Sequence, residues 1–469
     1  MKLELHPDRL FPAEPGTRAV ARELYAQVAR LPILSPHGHT DPAWFATNAF
    51  FENPAQLLIV PDHYVLRMLY SQGVPLEALG IARIDGGPSE ADPRKIWRCF
   101  AEHYYLFRGT PSRLWLDWVF AEVFGLDRIP DARNADAQFD QMQAALRSEA
   151  FRPRALFERF GIEVLATTEG ALDSLANHHL IRSSGWRGRV ISTYRPDAVV
   201  DPQGEDFVHN LQRFGELTGE DISSWEGYLR AHQCRRAYFR AAGATATDHG
   251  HPSATTADLS PPEARALYAR ILSGRYGASD ADVFRGQVLT EMARMSLEDG
   301  MVLQLHPGVH RSHNVPLLRR FGRDKGGDIP LATEYVRALQ PLLNLYGTDP
   351  RLTFIVFTLD EDAYSRELAP LAGHYPALRL GPPWWFHDSP EGMRRFRERV
   401  TETAGFYNTV GFNDDTRAFL SIPARHDVAR RMDCGFLARL VAEHRLGESE
   451  AQELAQALSY GLAKAAYRL

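Results

Sequence analysis

Short apolar, β-branched runs recur along this chain, each closing on polar residues, with helix-like stretches between them. Eight stand out: Ile33–Ser35, Ile162–Thr168, Val190–Tyr194, Gly243–Asp248, Met301–His306, Leu352–Thr358, Ala377–Gly381 and Tyr407–Phe412. Strands alternating with helices in this number predict an α/β protein, a (β/α)8 or TIM barrel. The spacing is uneven. Residues 41–160, between the first two runs, are rich in aromatics and helical periodicity and are expected to form a large helical insertion. So long a connection is usually functional, as a lid or pocket wall. A smaller helical insertion is expected between Asp206 and Arg240. With 469 residues, 44% of them hydrophobic, the chain can bury a large core, and a single barrel domain over 1–469 is expected.

Composition narrows the function. A net charge of −6 argues against a nucleic-acid partner. Cys99, Cys234 and Cys434 are far apart and form no CxxC pair, which excludes a disulfide scaffold and a cysteine-only zinc site. The opening MKLELHPDRL lacks the apolar run of a signal peptide, and no apolar stretch approaches the ~18 residues of a membrane span. A soluble, cytoplasmic protein without a membrane partner is expected. Only four of the 53 basic residues are lysines, so mechanisms that need a lysine have few candidates.

Chemistry in a barrel collects at the C-terminal strand ends. Those ends carry His37 and His39; Thr168 and Glu169; Arg195; Asp248 and His249; His306; Asp360; Trp384 and Trp385; and Asp414, Asp415 and Arg417. The sharpest feature is Pro36-His37-Gly38-His39. On an extended segment residues i and i+2 point to one side, so both imidazoles can reach one metal. His37, His39 and Asp415 are the candidate ligands, with His306 as a fourth or a neighbouring group. Imidazole plus carboxylate suits one divalent ion, zinc first, with manganese or iron also admissible. No lysine lies near Asp248 and His249. Asp248-His249-Gly250-His251 and the pair His310/His313 read as extra pocket groups or solvated loops, and His178-His179 as a helix surface.

Several segments in order resemble the uronate isomerases, a branch of the amidohydrolase superfamily: PHGHTDP (36–42), PDHYVLRML (61–69), LATTEG (165–170), TYRPD (193–197), QLHPG (304–308), GPPWWFHDSP (381–390) and FNDDTRAFLSIPARH (412–426). The resemblance implies a distorted (β/α)8 barrel, one divalent metal, and isomerisation of D-glucuronate to D-fructuronate and of D-galacturonate to D-tagaturonate. It points to Tyr64, preceded by His63, as the base. Departures touch the pocket: Ser35 stands where relatives often have an acid, and GVHRSHN (308–314) where they often read GxxRNNN.

An aldose–ketose isomerase moves a proton between C2 and C1, which needs a base, a carbonyl polariser and a clamp. Tyr64, His63 and Asp415 are the catalytic candidates. Arginine suits the C6 carboxylate, so Arg195 and Arg417 are the clamp candidates. Trp384 can stack on the sugar, one of Trp384 and Trp385 is expected in the core, and His306 completes the substrate set. The partner is then a small hexuronate, and a homo-oligomer is compatible with the sequence. The rival reading is a mononuclear metal-dependent hydrolase of the same superfamily; a non-catalytic sugar-acid binder is disfavoured by the cost of burying so many polar strand ends.

Overall fold

A computed structural model describes all 469 residues. The chain divides into two compact units: Met1–Glu163 with His310–Ile329 and Asp414–Ala455, and Val164–Val309 with Pro330–Asn413 and Gln456–Leu469.

In the first unit, strand β1 (Ile33–Ser35) is buried throughout, and the Ile33 N–H donates to the Gly161 carbonyl at 2.9 Å. Helix Pro15–Val28 precedes it, with Glu14 accepting from the N–H groups of Gly16 and Thr17 at its start. The helix turns Ala21, Leu24 and Val28 inward along helix Ile422–Ala442. That contact is pinned where the Arg431 guanidinium lies 4.2 Å from the Tyr25 ring centroid and Asp427 accepts from both residues. Residues 41–160 contribute helices and no strand of the parallel sheet. Their centre is aromatic: Trp97, Phe100, Tyr104, Phe107 and Phe120 are buried together, with Phe120 meeting Trp97 and Tyr104 edge to face. The Trp97 indole N–H, the one polar atom in that ring, donates to the Ala135 carbonyl at 2.8 Å.

In the second unit, β2 (Ile162–Gly170), β3 (Arg189–Arg195), β4 (Ala246–His249), β5 (Val302–Leu305), β6 (Phe354–Val356) and β7 (Leu378–Leu380) pair in parallel, each with the next in sequence. Their side chains alternate between two faces, as a pleated strand requires. Leu303, Leu305, Phe354, Val356, Leu378 and Leu380 pack under helices with Phe284, Tyr228 and Tyr268. Ala246, Val302 and Ile355 take the other face with Phe357, Val410 and Tyr467. The Tyr467 hydroxyl donates to Gln304 and accepts from Asn413, which satisfies the polar groups among them.

The expected eighth strand, Tyr407–Phe412, is reduced to one parallel bridge, Leu380 to Thr409. Gly411 explains it: its φ of +73° leaves the extended region, and a Cβ there would meet the Leu458 carbonyl at 2.7 Å. The fold is thus of the (β/α)8 class with its last strand nearly lost. The smaller insertion forms helices Phe207–Thr218 and Trp225–Ala241. No helix is long and apolar enough to cross a membrane.

His178 departs from the helix-surface reading. It lies on helix Ala176–Ser183 but is buried, with Nε2 2.9 Å from Thr167 Oγ1. Burial pushes its pKa down to about 4 from the ordinary 6.5. The unfolded chain takes up this proton near pH 6.5 and the folded chain only near pH 4, so acid favours unfolding across that window. His178→Gln is expected to shed up to about 1.4 kcal/mol per pH unit of that slope, measured by urea unfolding between pH 6.5 and 4.5. An unchanged slope would contradict the assignment.

Candidate active site

Beyond Ser35 the chain bends at His37, and the His39 N–H donates to the Thr416 carbonyl at 3.0 Å. That bond joins the loop after β1 to the loop carrying Asp415. His39 Nε2 lies 3.1 Å from Asp415 Oδ1, and His37 Nε2 lies 3.6 Å from it. The two rings stand nearly perpendicular, 5.3 Å apart. One donor atom from each of the three residues falls within 4.8 Å of the others. Asp415 has a φ of +38°, in the left-handed region that non-glycine residues avoid. Such strain persists only where the surroundings hold it, and it concentrates at functional positions. Asp414 faces another way: it accepts from the Ser35 hydroxyl at 3.2 Å and pairs with His426 Nε2 at 3.1 Å. Two adjacent acids thus have separate tasks. Two imidazoles and one carboxylate, largely withdrawn from water, are a donor set that fits a borderline-soft divalent cation.

His63 and Tyr64 open helix His63–Ser71, where the Asp62 carboxylate accepts from the N–H groups of Tyr64 and Val65. Burial pushes the His63 pKa down to about 3, helped by the positive charge of Arg417 and opposed by Asp324. Its imidazole is therefore neutral near pH 7. The Tyr64 ring lies 5.0 Å from His63 and 5.8 Å, edge-on, from Trp115. The Arg425 guanidinium covers Trp115 at 3.5 Å. Arg417 pairs with Asp324 at 3.1 Å, both side chains more than 40% exposed. Gly326 lets this segment close over the helix: its φ is +79°, and a Cβ would meet the His63 carbonyl at 2.9 Å.

In the second unit Arg195, His306 and Trp384 form a connected set. Arg195 Nε is 2.8 Å from Asp197 and 3.4 Å from the fully buried Asp248. The other Asp248 oxygen is 2.5 Å from His306 Nδ1. The His306 ring stacks on Phe357 at 3.9 Å and meets Trp384 at 4.7 Å. Trp384 and Trp385 are both half-buried, so neither belongs wholly to the core. His249 and His251 are not solvated: they are 0% and 4% exposed. Glu169 accepts from the Ser192 hydroxyl, and Asp360 accepts from the Thr333 and Asp362 N–H groups, which makes both structural anchors. Asp197, Asp324 and Arg425 were not singled out from sequence. Asp197 had a signal, since it closes the TYRPD segment two residues after Arg195.

A family model for glucuronate isomerase matches residues 16–467. A uronate isomerase of Xanthomonas axonopodis pv. citri (strain 306) is 67% identical over 467 residues, covering 100% of this chain and 99% of that one. One from Phenylobacterium zucineum (strain HLK1) is 64% identical, covering 100% and 97%. The crystal structure of glucuronate isomerase from Caulobacter crescentus superposes with a TM-score of 0.98 at 63% identity, over 100% of this chain and 98% of that one. That of a uronate isomerase from Thermotoga maritima gives 0.91 at 25% identity, over 99% of both chains. Matched from end to end in sequence and in structure, the chain belongs to the glucuronate isomerase family.

Proposed function

We propose that this protein interconverts aldohexuronates and ketohexuronates, D-glucuronate with D-fructuronate and D-galacturonate with D-tagaturonate, by proton transfer through an enediol. The observation that carries the reading is the convergence of His37, His39 and Asp415 in the unit that also holds the His63–Tyr64–Arg417 group. Family membership favours it over the hydrolase alternative.

His37, His39 and Asp415 would hold one divalent cation, and zinc suits the donor set best. When bound, such a cation polarises sugar oxygens as a Lewis acid. The proton chemistry falls to side chains. In the aldose-to-ketose direction a base removes the proton from C2, the C–H electrons form the C1=C2 bond, and the C1 oxygen is protonated. The C2 hydroxyl then gives up its proton, the C2 carbonyl forms, and C1 is protonated in turn. Tyr64 Oη is the proposed carrier, with the Asp415 carboxylate as a second acid/base. Neutral His63 can accept or relay a hydrogen bond beside it, but at pH 7 it holds no extra proton to donate.

Arg417 is a proposed carboxylate clamp. Its pair with Asp324 is exposed, and exposed pairs contribute only ~0–1 kcal/mol, so a substrate carboxylate can displace or share it cheaply. Arg195 is the second proposed carboxylate ligand. Its pairing with the fully buried Asp248 fixes its aim. Trp384 and His306 supply an apolar ring and a polar edge for the sugar.

Purified protein should convert both D-glucuronate and D-galacturonate, and chelation should remove that turnover. Inertness toward both sugars would overturn the reading. Replacing both His37 and His39 by Ala should cost one equivalent of bound metal by elemental analysis while the circular dichroism spectrum stays native; full occupancy would remove the ligand assignment. Tyr64→Phe deletes only a hydroxyl, so packing should hold while kcat falls by ~10²–10⁴, the usual worth of a positioned acid–base group. Near wild-type turnover would exclude Tyr64 from the proton path.

A further inference from the structure

The chain contains a second His-Gly-His, at His249-Gly250-His251, that the proposed catalysis does not use. It begins on the last residue of β4, whereas the first begins two residues after β1. Both rings are buried, and three of their four nitrogens, His249 Nδ1 with Nδ1 and Nε2 of His251, have no hydrogen-bond partner in the protein. Buried polar groups left without partners are costly, so this arrangement calls for something to fill it. Asp197 stands opposite, and one donor atom from each of Asp197, His249 and His251 lies within 4.8 Å of the other two.

We propose that Asp197, His249 and His251 form a second metal site, for one divalent transition-metal cation such as zinc, that fixes Arg195. The orientation of the ligands supports it. His249 Nε2 lies 3.3 Å from Thr247 Oγ1, so donation there leaves Nδ1 with a bare lone pair. Metal-bound histidines are oriented through their second nitrogen in this way. Asp197 is anchored by the Gly250 N–H, at 3.1 and 3.2 Å from its two oxygens, and by Arg195. Gly250 is required for that approach, since a Cβ would meet Arg195 Nη2 at 2.4 Å and Asp197 Oδ2 at 2.8 Å. One guanidinium, Arg195, serves two carboxylates, Asp197 and Asp248, which leaves local negative charge for a cation to offset. The Asp197 side chain is 28% exposed and gives the ion a route in. Asp197 would then bind metal on one side and hold Arg195 on the other, which makes Asp197, His249 and His251 positioning residues.

The site does not depend on the one at His37, His39 and Asp415, and the experiment separates them. Chelator-stripped protein is titrated with Zn2+ by equilibrium dialysis, and bound zinc is counted by elemental analysis. Wild type should bind two equivalents. His251→Ala and His249→Asn should each bind one, as should the double variant His37→Ala/His39→Ala. Combining the latter with His251→Ala should leave none, whereas His310→Ala/His313→Ala should retain two. Unfolding reports independently of turnover: zinc should raise the Tm of wild type more than that of His251→Ala, while the two stripped proteins melt together. His251→Gln serves if His251→Ala does not fold. The proposal is overturned if wild type binds a single equivalent, if the His249 and His251 variants keep wild-type stoichiometry, or if the second equivalent is lost instead with His310 and His313.

Discussion

The hydrogen bond from the His39 N–H to the Thr416 carbonyl joins two loops that are far apart in sequence. A single bond of this kind contributes only ~1 kcal/mol net, so its role lies in geometry rather than in stability. It sets the carboxylate of Asp415 against the imidazoles of His37 and His39, and a reactive constellation tolerates only ~0.5 Å of error. The left-handed backbone of Asp415 shows the strain that this placement entails. The restraint comes from packing: β1 lies against the long helix Ile422–Ala442, which also carries helix Pro15–Val28, with Arg431 and Asp427 holding Tyr25 and Asp427 holding Arg9.

Protonation follows burial. His63 is kept neutral chiefly by its withdrawal from water, with Arg417 adding to the effect. His249 and His251 are neutral for the same reason. The fully buried Asp248 instead keeps company with Arg195 and His306. An unpaired charge at such depth would be costly, so removing any one of these three disturbs the other two. The exposed Arg417–Asp324 pair carries no such penalty and is free to rearrange.

Much of this was legible in the sequence. Runs of β-branched residues ending in polar groups located seven strands, because a parallel strand buried on both faces has to read that way. The eighth run has the same composition but turns at Gly411, where backbone geometry outweighs side-chain preference. The first His-Gly-His drew notice because its two imidazoles stand two residues apart at a strand end; the extended course expected there is broken by a bend at His37. The second has the same spelling, yet its burial depends on packing that no local pattern records, and His178 was misread as surface for that reason. Asp324 was out of reach of local reasoning: it meets Arg417 across 93 residues of sequence, through a loop whose course depends on Gly326.

The proposed metal centre of His37, His39 and Asp415 can be observed crystallographically. Anomalous diffraction at the zinc edge from zinc-loaded crystals tests it most directly. A strong anomalous peak bounded by the two Nε2 atoms and the Asp415 carboxylate is the expected result. Zinc bound elsewhere, with no peak among these three residues, would contradict it.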